Sequence, residues 1–275
     1  MSSAPLPSSA AKANRALVVD SSGVARLVAA RALGPSVQAL TCGSGQEALA
    51  LLTPDISLIV TALRLPDMDG NTLAERIREQ SVHKETPILA VSGNVTEALR
   101  ERSLVPSISD YFDKSLGSAA MAAFFQAYLG KTNTLSGKIL LVEDSRTIAI
   151  TTRRLLEKRG LTVVVSATAE DAQAFLDRDL VNIQQAEFDL VITDVNLAGT
   201  MTGLDLIAHL RASPKPWGKQ IPVLVTTGDE RTAHQIELLE AGADDLLIKP
   251  VQEAQMVAKV GFHLWRSRDA RQNQV

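Results

Sequence analysis

Short aliphatic runs alternate along the chain with longer stretches in which apolar residues recur three and four positions apart. ALVV (16–19), SVQAL (36–40), SLIVT (57–61), PILAV (87–91) and DYFD (110–113) are the runs of the first half. KILLV (138–142), TVVVS (162–166), DLVIT (189–193), PVLVT (222–226) and DLLI (245–248) follow in the second. Most are apolar throughout rather than alternating, which is the pattern of strands covered on both faces, with helices as the crossovers of a parallel sheet. The prediction is an α/β chain of two doubly wound (βα)5 domains, each built on a central five-stranded parallel sheet.

The second half repeats the first. LIVTA (58–62) aligns with LVITD (190–194) at an offset of 132. LAVSG (89–93) with LVTTG (224–228), and Asp113-Lys114 with Ile248-Lys249, align at 135. From Asp20 to Glu143 the offset is only 123, so the second copy carries about nine extra residues before its third strand, placed in DRDLVNIQQAEF (177–188). The polar stretch GKTNTLSG breaks both neighbouring patterns and reads as a linker. The expected organisation is a disordered tail over 1–14, a domain over 15–129, the linker over 130–137 and a second domain over 138–270.

Composition narrows the function. Lys and Arg number 28 against 31 Asp and Glu, a formal charge of −3, so no large positive field draws nucleic acid, and none is expected as a direct partner. The single cysteine, Cys42, excludes an intrachain disulfide and a thiolate metal cluster and fits a reducing cytoplasm. The Ser-, Ala- and Pro-rich start lacks the basic and apolar regions of a signal peptide. Ser118–Leu129, the most membrane-like segment, falls well short of the roughly 20 residues needed to span a bilayer, so no membrane insertion is expected.

In doubly wound sheets ligands bind beyond the carboxyl ends of the strands. In the second copy the residues there are Glu143 and Asp144 after strand 1, Asp194 after strand 3, Thr227 after strand 4 and Lys249 after strand 5. Three converging carboxylates repel unless a cation intervenes, and an all-oxygen set with few protein ligands suits Mg²⁺ with retained waters.

LLVEDS (140–145), LVITDVNL (190–197), VLVTTGD (223–229) and LLIKP (246–250) together resemble the receiver domains of two-component response regulators. The resemblance covers nearly the whole chain as two copies and implies tandem flavodoxin-like receivers. It implies that Asp194 is the phosphoacceptor, that Asp144, Asp194 and the backbone carbonyl of Asn196 hold Mg²⁺ with Glu143 assisting, and that Thr227 and Lys249 act as the switch hydroxyl and the phosphate-binding cation. Asn196 and Asp229 would flank the line of water attack and tune dephosphorylation. A sensor histidine kinase or histidine phosphotransfer protein would donate the phosphoryl group, and output would pass through a downstream protein partner or a homodimer. Two departures stand out. The loop after Asp194 has no proline and one extra residue before Gly203, and Leu246 occupies the place of the usual switch aromatic.

The aligned positions of the first copy read Asp20, Ser21, Ala62, Ser92 and Lys114. Ala62 cannot accept a phosphoryl group and Ser21 removes the principal metal carboxylate. Asp67 and Asp69, in LPDMDG, follow the acceptor position rather than replace it, and Lys114 is expected to pair with Asp20. This degenerate receiver is expected to serve as an interaction module through its uncharged last helix, Ser115–Gly130, with Met121, Phe124, Phe125 and Tyr128 as contacts. The four histidines, His83, His209, His234 and His263, lack ligand spacing and are expected at the surface, and Trp217 reads as an exposed loop aromatic. The alternatives are a constitutive scaffold, the receiver portion of a longer diguanylate cyclase-like protein, and a haloacid-dehalogenase-like phosphatase. The last wants a second aspartate where Asn196 stands.

Overall fold

The computed structural model describes residues 14–93, 107–130, 134–178, 186–214, 220–229 and 231–272. Trp217, most of the 177–188 insertion, nearly all of the tail and part of the linker lie outside them. The chain divides into two units. The first runs β1 (Asn14–Val19), α1 (Gly23–Ala32), β2 (Val37–Cys42), α2 (Gly45–Leu51), β3 (Ile56–Ala62), α3 (Gly70–Glu79), β4 (Ile88–Ser92), β5 (Asp110–Asp113) and α4 (Gly117–Tyr128). Its strands are all parallel in the order β2-β1-β3-β4-β5.

The second unit runs β6 (Lys138–Val142), α5 (Arg146–Lys158), β7 (Thr162–Ser166), α6 (Ala169–Arg178), β8 (Leu190–Asp194), α7 (Gly203–Ala212), β9 (Val223–Thr227), α8 (Thr232–Glu240), β10 (Asp245–Ile248) and α9 (Glu253–Gln272). Its sheet, β7-β6-β8-β9-β10, repeats the order of the first. In each sheet the order reverses between the first and third strands, and there the carboxyl ends open a crevice.

Alternation along the strands explains why each sheet is covered on both faces. Leu140 and Val142 pack with α6 and α7 through Ala172, Leu206 and Leu210. Their neighbours Ile139 and Leu141 point the other way, onto Leu156 of α5 and Met256, Val260 and Leu264 of α9. In the first unit Leu17, Val19, Ile59 and Ile88 pack on Ala48 of α2 and Leu73 and Ile77 of α3. Each such aliphatic side chain, fully buried, contributes about 1.5–3 kcal/mol. The helices start where the sequence offers side-chain caps. Ser22, Ser44 and Asp69 accept from the backbone N–H three residues on, and Thr202 and Asp205 form a reciprocal capping box.

Two expectations fail on burial. His83 and His263 are buried, at 2% and 1% exposure. His83 is drawn in by the Thr86 hydroxyl at 3.2 Å, and burial, then the Arg78 charge, lower its pKa. His263 is held by the Asp245 carboxylate at 3.1 Å. Of the helix read as an interaction face, Met121, Phe124 and Phe125 are buried, and Phe124 packs on Phe112 with ring centroids 5.2 Å apart. No helix among the described residues is long and apolar enough to cross a membrane.

The turn after the third strand is set by glycine in both units. Gly70 N–H donates to Leu63 O at 2.8 Å and Gly203 N–H to Val195 O at 2.9 Å. A Cβ on either would collide with a backbone carbonyl, that of Ala62 or of Asp194. The extra residue of the second loop is therefore absorbed before Gly203 and the close approach is kept. Gly203→Ala is expected to cost about 1–3 kcal/mol by forcing this backbone apart, whereas Gly228→Ala, where a Cβ meets nothing within 4 Å, should stay within about 0.5 kcal/mol. Urea denaturation of the two variants measures the difference.

Candidate functional site: an acidic crevice in the second unit

The carboxyl ends of β6, β8, β9 and β10 bring together the residues singled out in the second copy. One oxygen from each of Glu143, Asp144 and Asp194 lies within 4.8 Å of the others. Glu143 and Asp194 are buried, Asp144 is exposed and Thr227 is fully buried. Lys249 Nζ donates to Asp194 Oδ2 at 2.6 Å and reaches Glu143 Oε2 at 3.4 Å. Glu143 is held by two further bonds, its N–H to Ser166 O at 3.0 Å and its Oε1 to the Ser145 N–H at 3.1 Å.

The electrostatics follow from burial and pairing. Burial raises the Glu143 pKa, against the Ser145 N–H and the Lys249 charge, which lower it. For Lys249 burial disfavours the charged form, but the Asp194 hydrogen bond and the charges of Asp194 and Glu143 outweigh it, and its pKa rises. An exposed pair is worth about 0–1 kcal/mol, and removing one partner of a fully buried pair costs about 3–5 kcal/mol. Lys249, with a quarter of its side chain exposed, lies between these limits.

Thr227 ends β9. Thr227 Oγ1 accepts from the Asp229 N–H at 3.0 Å, and Thr227 O accepts from the Lys249 N–H at 2.7 Å. The Asp229 carboxylate is taken by the Arg231 side chain and N–H, which hold its pKa well below the usual carboxylate range. Asn196 is exposed just beyond Asp194. Leu246 is half-buried against the α6–α7 side of the core.

In the first unit the ionic centre has contracted. Lys114 Nζ pairs with Asp20 Oδ2 at 3.0 Å, as expected from the sequence. Asp20 keeps the local frame of Glu143: its N–H donates to Cys42 O at 3.2 Å and its Oδ1 accepts from the Ser22 N–H at 2.9 Å. Ala62 is buried at the acceptor position, Ser21 is exposed and Ser92 ends β4. Asp67 and Asp69 are committed elsewhere. Asp67 accepts from the Gly45 and Gln46 N–H groups that open α2, and Asp69 caps α3 through the Thr72 N–H.

Three features escaped the sequence reading. Arg78 and Arg211 staple equivalent carbonyls, Thr86 O and Ser107 O in one copy, Ile221 O and Gly242 O in the other. Their offset of 133 was the available signal. Asp245 gathers Lys259 at 2.7 Å and His263 at 3.1 Å, both buried; their spacing of four on one helix face hinted at a shared partner. Glu170, in the first turn of α6, pins the loop beyond Asp194 by accepting from the Thr200 N–H and hydroxyl, each at 2.7 Å, and from the Met201 N–H at 3.0 Å.

The Thr200 hydroxyl, the N–H groups around Glu170 and those of Thr200 and Met201 lower the Glu170 pKa from 4.5 to about 2. Because the folded value is depressed, the pin is fully present above pH 4.5 and is lost as pH falls towards 2. NMR titration should therefore place the Glu170 carboxyl near 2. Glu170→Gln should speed hydrogen exchange of the Thr200 and Met201 amides at neutral pH. A carboxyl titrating near 4.5 would contradict the pin.

The model of the response regulator receiver domain matches residues 16–126 and again 139–261. The alginate biosynthesis transcriptional regulatory protein AlgB of Pseudomonas aeruginosa is 34% identical over 125 residues, 46% of this chain and 25% of that protein. The two-component response regulator PhoP of the same species is 34% identical over 130 residues, 47% of this chain and 52% of that protein. Response regulator PleD of Caulobacter vibrioides is 22% identical across 92% of this chain and 60% of its own length. The chain thus spans about half, or less, of the first two relatives. A solved structure described as a putative two-component system response regulator/GGDEF domain protein covers 93% of this chain and 99% of its own, at 19% identity and a TM-score of 0.43. With both copies matched across most of their length and the same sheet order in each, the chain belongs to the response regulator receiver family as two receiver domains in tandem.

Proposed function

We propose that the second domain accepts a phosphoryl group on Asp194 and that the first does not. The observation that carries this is the contact of Lys249 Nζ with Asp194 Oδ2 beside the Glu143–Asp144–Asp194 cluster, against Ala62 and the Asp20–Lys114 pair in the first domain. The reaction is attack of an Asp194 carboxylate oxygen on the phosphorus of a phosphohistidine, or of a small acyl phosphate. The P–N or P–O bond to the donor breaks and an acyl phosphate forms. Lys249, held charged between two carboxylates, is placed to neutralise phosphoryl oxygens through a loose transition state.

The donor set fits Mg²⁺, because it is all oxygen and carries more negative charge than Lys249 balances. Glu143, Asp144 and Asp194 would hold the ion with the Asn196 carbonyl, and when bound it would supply further charge neutralisation for the phosphoryl oxygens. Thr227, at the open end of β9, would donate its hydroxyl to the new group and draw in the strand-to-helix turn that Asp229 and Arg231 now brace. Asn196 and Asp229 border the same opening and would set the lifetime of the acyl phosphate. The domain would catalyse only its own phosphorylation and dephosphorylation, with a histidine kinase or phosphotransfer protein as donor. Output would pass through a protein partner or a homodimer, with the first domain as an interaction module.

Incubation of the full chain with acetyl phosphate and Mg²⁺, followed by borohydride trapping and peptide mapping, should place one adduct on Asp194. Asp194→Asn should abolish it, and Asp144→Asn should slow labelling at least about tenfold, the equivalent of losing one charged ligand. Thr227→Ala should still be labelled but lose any change in size seen by light scattering. An adduct elsewhere, or labelling that survives Asp194→Asn, would overturn the assignment.

A further inference from the structure

Between α1, α4 and the sheet of the first domain lies a cavity of about 290 Å³, at the lower end of the roughly 300–1,000 Å³ of small-molecule sites. Its walls are apolar, with Val18 and Val60 from the sheet, Val28 from α1 and Met121 from α4. Val24 also lines it and is 73% exposed, which marks the opening at the first turn of α1. The charged part of the lining is Asp20 and Lys114, beside Ala62 where the second domain has Asp194, and Ser22, Thr61 and Ser118 add hydroxyls.

Charge balance says what this pair lacks. In the second domain Lys249 meets two carboxylates, those of Asp194 and Glu143. Lys114 meets one among the described residues, Asp20, whose other oxygen is taken by the Ser22 N–H. An ammonium carries three donors, so Lys114 has donors left for a second acceptor. The side chain that would have supplied it is the one Ala62 has lost, and that position opens into an apolar volume. The N-terminal turn of α4, represented in the lining by Gly117 and Ser118, adds partial positive charge beside Lys114.

We propose that the first domain binds a small carboxylic acid with a ring or branched aliphatic body. The acid's carboxylate takes the place of the missing aspartate beside Lys114, and its hydrocarbon fills the cavity. No covalent step is involved, and the site is independent of phosphorylation at Asp194. A receiver that has lost its acceptor would then respond to a metabolite carboxylate instead of a phosphoryl donor.

Benzoate and 3-methylbutanoate are the probes, titrated into the full chain by calorimetry with benzamide as the neutral control. The expected result is one saturable site for at least one acid, with benzamide at least about tenfold weaker than benzoate. Lys114→Gln should weaken acid binding about ten- to hundredfold, the worth of a hydrogen bond to a charged group. Ala62→Asp should abolish it by filling the seat with a tethered carboxylate, and Ala25→Leu should do so by filling the cavity. Asp194→Asn should leave it unchanged. Absence of saturable binding of both acids up to roughly 10 mM, where ligands of this size and ordinary efficiency would register, overturns the proposal. So does binding that survives Ala62→Asp and Lys114→Gln, or that is lost in Asp194→Asn.

Discussion

Three carboxylates at the carboxyl edge of one parallel sheet repel one another, and Lys249 allows two of them to stay buried. Its ammonium stands 2.6 Å from Asp194 and 3.4 Å from Glu143, and the backbone of the same lysine is tied to Thr227. β8, β9 and β10 are thereby fixed to a single lysine. On the proposed reading, the remaining surplus of negative charge would draw a cation and, through the cation, a phosphoryl group. Everything around it serves placement: the sheet order that opens the crevice, the glycine that lets α7 start against the Asp194 carbonyl, and the Glu170 pin on the intervening loop.

The first domain shows the same frame after the charge has been removed. Asp20 has both backbone bonds of its counterpart Glu143, so the architecture stands without a carboxylate at position 62. The two copies also hold the loop beyond the third strand by opposite means. In the first, a loop acid, Asp67, reaches back to the N–H groups of α2. In the second, a helix acid, Glu170, reaches forward to the N–H groups of the loop. One carboxylate bridges the same two elements in each case, and only its origin has changed.

The strands and the crevice were legible because both rest on strong local signals. Runs such as KILLV and DLLI are apolar on both faces, and eight of the ten strands coincide with their runs to within one residue at each end. The site residues sit at strand ends, where topology alone brings them together. What escaped was polar burial paid back by partners distant in sequence. His83 and His263 read as surface residues because the hydrogen bond to Thr86 and the ion pair to Asp245 leave no periodic trace. The Lys259 ammonium is hidden for the same reason, its partner Asp245 lying in β10 rather than on its own helix. Phe124 and Phe125 read as an interaction surface because an uncharged helix looks unpartnered until Phe112 is seen beneath it.

On the proposed reading, one of the two homologous crevices can hold a phosphoryl group and the other cannot. Fluorine NMR of the full chain with Mg²⁺ and beryllofluoride, a phosphoryl mimic that docks on a carboxylate, counts such crevices directly. One equivalent bound per chain, lost in Asp194→Asn and retained in Ser21→Ala, is the predicted result. No bound species, or two, would contradict it.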